Sequence, residues 1–351
     1  MAGGPAPGRR ERLVRAAAVL AGLGAFCLGG EVGCRALVGG ELHFTGWGPA
    51  YRRWFGTVRL DPLGLRCGSD DCPAPAPDKG LFTILLLGDS VTFGSGVPFE
   101  EIFSRRMERQ LGERGHPPGS RVINASAPGL DTAGELRLLN QVAPHVAPDL
   151  VVLVYFPNDA LSEDDPRVRS IGSHLLGERA GGWLYQRSYF YYFVESRWGR
   201  LRERLGLRTS YESLVRESVQ PGAPGLARHL EALEALIGTV RLNGIDLAIV
   251  LFPVLHRLHD YPFAGAHALV REVAARHQVP VIDLLPAFQD VDPLQFILSP
   301  YDNHPNGEGH RLAANEIVRG LDRLGLLPMG EITPAGRPPA RGTRGRDRFS
   351  P

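Results

Sequence analysis

Lysine is almost missing from this chain. Lys79 is the only one in 351 residues, so 38 of the 39 basic side chains are arginine. With many alanines, 43 glycines and 29 prolines, this marks GC-rich coding, a background bias rather than a function. A dominant charge is missing too. The 38 acids nearly balance the bases, for a formal net charge of +1. No one-signed surface for nucleic acid or an acidic partner is implied. Cysteine is scarce, at four residues. Cys67 and Cys72, five apart in a Gly/Pro/Asp-rich stretch, are close enough to bridge in an oxidising compartment, with ordinary free thiols as the alternative. Two cysteines without a nearby histidine make a poor zinc set. Absent as well is an uninterrupted apolar run of about 20 residues, the length of a bilayer span.

What the N-terminus has instead is fifteen uncharged residues, Ala16 to Gly30, after Arg9, Arg10, Arg12 and Arg15. Val32, Leu37 and Val38 lengthen the run imperfectly past Glu31. The basic flank places the N-terminus in the cytoplasm and the rest outside it. No clean Ala-x-Ala cleavage site follows, and Val32-Gly33-Cys34 is a poor lipoprotein signal. An uncleaved anchor over residues 1–39 is therefore expected; a cleaved signal and a buried helix are the competing readings. Residues 40–80, with Trp47, Tyr51, Trp54, Phe55 and a turn at Asp61-Pro-Leu-Gly-Leu-Arg66, read as a connecting segment.

The remainder is organised around Leu81-Phe-Thr-Ile-Leu-Leu-Leu-Gly-Asp-Ser90. Seven nearly all apolar residues have the length of a strand buried on both faces. Ser90 follows at the carboxyl end, where open α/β sheets bind ligands. Phe99, Ile102, Phe103, Met107 and Leu111 then recur at helical spacing. Arg121–Ala125, Asp149–Phe156, Ile245–Phe252 and Val279–Asp283 read as four more strands. Helices are expected after Asp131, over Leu226–Asn243 and Ala264–His277, and from Asn306 to Leu324. Residues 160–224 interrupt the rhythm with Leu184-Tyr-Gln-Arg-Ser-Tyr-Phe-Tyr-Tyr-Phe, a helical insertion. Its aromatics either grip an apolar or glycan substrate or only pack the insert. After residue 327, Pro, Gly and Arg dominate in a tail expected to be disordered.

Because parallel strands share their carboxyl edge, the turns at Ser90, Gly129 and Asn158 should converge. The loop Ser299-Pro-Tyr-Asp302-Asn-His304 should emerge nearby. A serine hydroxyl is a poor nucleophile until an imidazole takes its proton and a carboxylate fixes the imidazole's tautomer. Asp302, His304 and His310 can also be read as metal ligands, but no metal is expected.

These motifs, in this order, resemble the SGNH or GDSL-type hydrolases over roughly residues 80–325. Gly88-Asp89-Ser90 matches the first block, Ala127-Pro-Gly129 the second, Pro157-Asn158-Asp159 the third and Asp302-Asn-His304-Pro the last. The resemblance implies a flavodoxin-like three-layer α/β/α sandwich with a mostly parallel five-stranded sheet in residues 81–327, and the strand count above agrees. It implies Ser90 as nucleophile, His304 as base and Asp302 as acid. The amides of Ser90 and Gly129 and the side chain of Asn158 would form the oxyanion hole, and no cofactor is implied. Two positions depart from the family. Phe156 stands where a glycine is usual, and Tyr301 where the acid usually lies, three residues before the histidine. The expected activity is hydrolysis of an acyl ester, of a small molecule or an acylated glycan or lipid. A glycan O-acyltransferase and a silent glycan-binding module are the alternatives.

Overall fold

The computed structural model describes residues 8–38, 48–69, 72–78, 80–113, 119–161, 165–171, 174–289, 292–299 and 302–328. The expected Arg-rich tail lies outside them. The chain divides into two compact units. One takes residues 1–53 with 173–208; the other takes 54–172 with 209–351.

The larger unit is built on five strands: β1 (Thr83–Gly88), β2 (Arg121–Ser126), β3 (Leu150–Tyr155), β4 (Asp246–Leu251) and β5 (Val281–Asp283). Their order is β2-β1-β3-β4-β5, and every pairing is parallel. β1 and β3 are buried throughout, as expected of strands covered on both faces. Alternate residues feed two separate cores. Ile84, Leu86, Val152 and Val154 pack with Phe103, Met107 and Leu111 of α1 (Phe103–Glu113) and Ile317 and Leu321 of α5 (Gly307–Arg323). Leu85, Leu87, Val151 and Leu153 face α2 (Thr132–Val146), α3 (Leu226–Leu242) and α4 (Ala264–Arg276). This is the expected three-layer α/β/α sandwich, with a sheet parallel throughout.

Local signals explain most element ends. Asp131 caps α2 by accepting from Gly134 N at 2.8 Å. Asn306 caps α5 through Glu308 N and Gly309 N. The helix after Pro98 begins later than its spacing implies. Phe99–Glu101 is a 3-10 turn, and extended Ile102 separates it from α1. Asp302 and His304 do not lie in a loop: Asp302–Pro305 (β7) pairs antiparallel with Ile297–Ser299 (β6). The Asp61 turn closes a two-residue ladder, Arg59–Leu60 against Arg66–Cys67, and Cys67 is disulfide-bonded to Cys72.

The smaller unit contains the N-terminal helix Arg9–Val38, the helix Gly177–Tyr185 and the helix Tyr189–Arg204. Residues 173–208, within the expected insertion, therefore cluster with the N-terminal segment. Pro166–Ile171 and Tyr211–Ser218, from the same insertion, belong to the larger unit.

Candidate active site

Ser90 opens a single helical turn, Ser90–Phe93, directly after β1. The turn depends on glycine at 88. A Cβ there would fall 2.1 Å from Thr92 Oγ1 and 3.2 Å from the Val154 carbonyl oxygen. Asp89 caps the turn, accepting from Val91 N at 2.9 Å, and Gly94 closes it in the left-handed region at φ 74°. Arg66, buried to 8% exposure, donates Nη1 to the carbonyls of Phe93 and Gly94 at 2.8 Å each, and Nη2 to that of Val97. Asn124 Nδ2 donates to the Thr92 carbonyl at 2.8 Å. The serine thus sits on a loop whose backbone acceptors are held from two sides.

β7 delivers the partner groups. His304 Nε2 lies 2.9 Å from Ser90 Oγ, and His304 Nδ1 lies 2.6 Å from Asp302 Oδ1. The same carboxylate oxygen accepts the backbone N–H of His304 at 3.0 Å, so acid and base are fixed to each other twice. Asp302 is buried. Burial alone would lower the His304 pKa. The hydrogen bond to Asp302 and the charges of Asp302 and Asp89 outweigh it, and the imidazole sits above its ordinary value.

Asn158 lies in the 3-10 turn Pro157–Ala160, just beyond β3 and next to β1. Its side chain lies beside Asp89 and Tyr211. Asp159 steadies this turn by accepting from Phe156 N at 2.8 Å. Phe156 itself packs toward Phe252 and the cluster of Val215, Val254 and Phe263. Gly129 follows β2 at the same edge, where Ser126 is in register with Gly88. It has φ 82°, and a Cβ there would meet nothing within 4 Å. The structure therefore brings Ser90, His304 and Asp302 into one hydrogen-bonded set, with Asn158 beside Asp89 and Gly129 on the neighbouring turn.

His310 is a different kind of histidine. Its Nδ1 accepts the Phe103 amide at 3.2 Å at the start of α1, and burial pulls its pKa down to about 3. Among the described residues, no three His, Cys, Asp or Glu side chains are grouped to hold a metal ion. A small pocket lined by Asp131, Thr132, Asp159, Arg228 and His229 includes none of Ser90, Asp302 and His304. Burial pushes the carboxyls of Asp159, which lines it, and of Glu135 well above the ordinary range.

Sequence reasoning missed Arg66, which acts across a long sequence separation and belongs to no local motif.

The GDSL-like lipase/acylhydrolase family model matches residues 86–312, more than half of the chain. The chain belongs to this family. Family members are hydrolases that act on ester bonds, and all the residues of the hydrogen-bonded set fall inside the match. No curated protein matches the chain. Among solved structures, TesA is similar at 16% identity and TM-score 0.44, covering 69% of this chain and 99% of its own. A lipase/acylhydrolase from Enterococcus faecalis is similar at 19% identity and TM-score 0.42, covering 71% and 98%. A two-domain esterase, CEX, active on acetylated mannans, is similar at 16% identity and TM-score 0.45, covering 73% of this chain and 52% of its own. At these scores the likenesses carry no further argument about this chain.

Proposed function

We propose that this GDSL-family hydrolase is a serine esterase working through an acyl-enzyme on Ser90. The observation that carries the reading is the chain Asp302–His304–Ser90, with contacts of 2.6 and 2.9 Å. Ser90 Oγ attacks the ester carbonyl while His304 Nε2 takes its proton. Asp302 holds the Nδ1–H tautomer and stabilises the imidazolium. The Ser90 and Gly129 amides and the Asn158 side chain receive the developing oxyanion. His304 then returns the proton to the leaving alcohol. Water, deprotonated by the same imidazole, releases the acyl group and restores Ser90. No step in this sequence needs a cofactor.

The substrate class is an acyl ester, of a small molecule or an acylated glycan or lipid. We place the catalytic domain, residues 81–327, outside the cytoplasm on an uncleaved N-terminal anchor. Two features support that placement. Four arginines precede the apolar run, and Cys67 and Cys72 are bonded, as suits an oxidising compartment.

Hydrolysis of p-nitrophenyl acetate, butyrate and octanoate by the full chain tests the reading beside Ser90→Ala. Release of p-nitrophenol by the parent and not by Ser90→Ala is expected. A folded chain that hydrolyses none of them, yet moves acetyl groups onto a glycan hydroxyl, would make it an acyltransferase instead.

A further inference from the structure

The smaller unit has chemistry that the esterase reading does not use. Its N-terminal helix is long enough to cross a membrane over Arg9–Leu37, and its apolar 18-residue window has mean hydropathy 1.8 with none of it buried. The uncharged part, Ala16 to Gly30, is only fifteen residues. At about 1.5 Å per residue that is roughly 22 Å, short of a hydrocarbon core of about 30 Å. Glu31 comes next, and an unpaired carboxylate there would be costly in a membrane.

Glu31 is not unpaired. Its carboxylate accepts from Ser188 Oγ at 2.7 Å, Phe190 N at 3.0 Å and Tyr189 N at 3.3 Å, and from Arg35 Nε at 2.7 Å. It caps the N-terminus of the helix Tyr189–Arg204 from another segment of the chain. The contacts around it are close. Phe26 meets Phe190 edge-on at 5.5 Å between centroids, and Arg35 lies over the Tyr189 ring at 5.4 Å. A Cβ on Gly30 would fall 2.5 Å from the Phe190 ring. Residues that signal cleavage would remove therefore hold a folded contact with residues 188–190.

From this clamp, the two helices of residues 177–204 expose Trp183 (56%), Phe193 (47%), Trp198 (39%) and Leu201 (44%). The guanidinium of Arg187 lies 4.9 Å over Trp183, and that of Arg197 lies 4.8 Å over Phe193. Exposed Trp and Phe sheathed by Arg suit the boundary between headgroups and acyl chains, where rings enter the apolar side and guanidinium groups reach phosphate.

We propose that residues 177–204 form a platform seated in the headgroup region of the bilayer that holds the N-terminal helix, locked to it by Glu31. This rests on the anchor reading above. The bilayer is favoured over a second copy of the chain because the helix Tyr189–Arg204, which carries Phe193, Trp198 and Leu201, packs on a helix long and apolar enough to span. Seating the aromatic start of the second helix at the level of Glu31 also extends the short span, and satisfies its carboxylate there.

The test uses the full chain in vesicles of phosphatidylethanolamine and phosphatidylglycerol. Trp47 and Trp54 are replaced by Phe, leaving Trp183 and Trp198 as emitters. Lipids brominated near the headgroup end of the acyl chain should quench the emission strongly, and lipids brominated near the chain end less. With the otherwise unaltered chain, Trp183→Phe/Trp198→Phe, two exposed changes, should remove most of that quenching. Glu31→Ala should weaken quenching without releasing the protein. Unquenched emission from a chain that resists alkaline extraction would overturn the platform and leave the anchor standing, as would quenching that vanishes on dimerisation. Release of the protein by alkaline extraction, or a mature N-terminus beyond residue 31, would overturn the anchor reading and the platform with it.

Discussion

Replacing Asp302 by Asn should disable the enzyme while leaving its fold intact. Asp302 Oδ1 accepts from both the ring Nδ1 and the backbone N–H of His304. Only one amide atom can occupy that position: with its oxygen there Asn keeps both contacts but loses the charge that stabilises the imidazolium, and with its NH2 there it gives up the backbone contact and donates to Nδ1. The second pairing puts the ring proton on Nε2, which faces Ser90 Oγ at 2.9 Å, and the base can no longer accept the serine proton. In another serine hydrolase this exchange costs about 10⁴ in kcat, which corresponds to roughly 5.5 kcal/mol of barrier. The pH profile should change as well. His304 works as neutral imidazole, so its raised pKa places the acid limb of kcat/KM above the ordinary histidine value of about 6.5. The Asp302→Asn exchange removes the main raising partner, burial then dominates, and residual activity should persist to lower pH. The assay is kcat/KM for p-nitrophenyl butyrate across pH 5–9, with circular dichroism as the control for folding. A kcat/KM within about tenfold of the parent, with an unmoved acid limb, would refute Asp302 as the partner of His304.

Asn158→Ala should lower kcat by about a hundred- to a thousand-fold with little change in KM, measured by steady-state kinetics, because its N–H acts on the oxyanion. Arg66→Met should destabilise the fold by at least about 3 kcal/mol in urea titration, since the carbonyls of Phe93, Gly94 and Val97 lose buried partners worth about 1–3 kcal/mol each. Cys67→Ser/Cys72→Ser should cost at most about 2 kcal/mol by the same titration, as expected for so short a closed loop.

The sheet was legible because each strand is a short apolar run ending in turn residues, and the boundaries hold to within two residues. The cap at Asp131 was readable from chemistry local to it, whereas Asn306 was read as the first residue of the helix it caps. The Ser90, Asn158 and His304 motifs were readable because each follows its strand or precedes its helix at fixed spacing. What escaped was tertiary. The antiparallel pairing that turns Asp302 to His304 into a strand involves short segments with no alternating pattern. Arg66 looked like a turn residue, and its function depends on carbonyls about thirty positions away. The grip of Glu31 on Ser188 and Phe190 spans more than 150 residues, so Glu31 read only as a blemish in an apolar run. In each case the partner, not the residue, carries the information.

The central claim is that Ser90 is the nucleophile, and covalent trapping tests it most directly. The full chain is treated with a fluorophosphonate and digested, and the modified residue is located by mass spectrometry. The account predicts one phosphonyl group on Ser90, much slower labelling in His304→Ala and none in Ser90→Ala. A folded chain that remains unlabelled, or that carries the group on another residue, would contradict it.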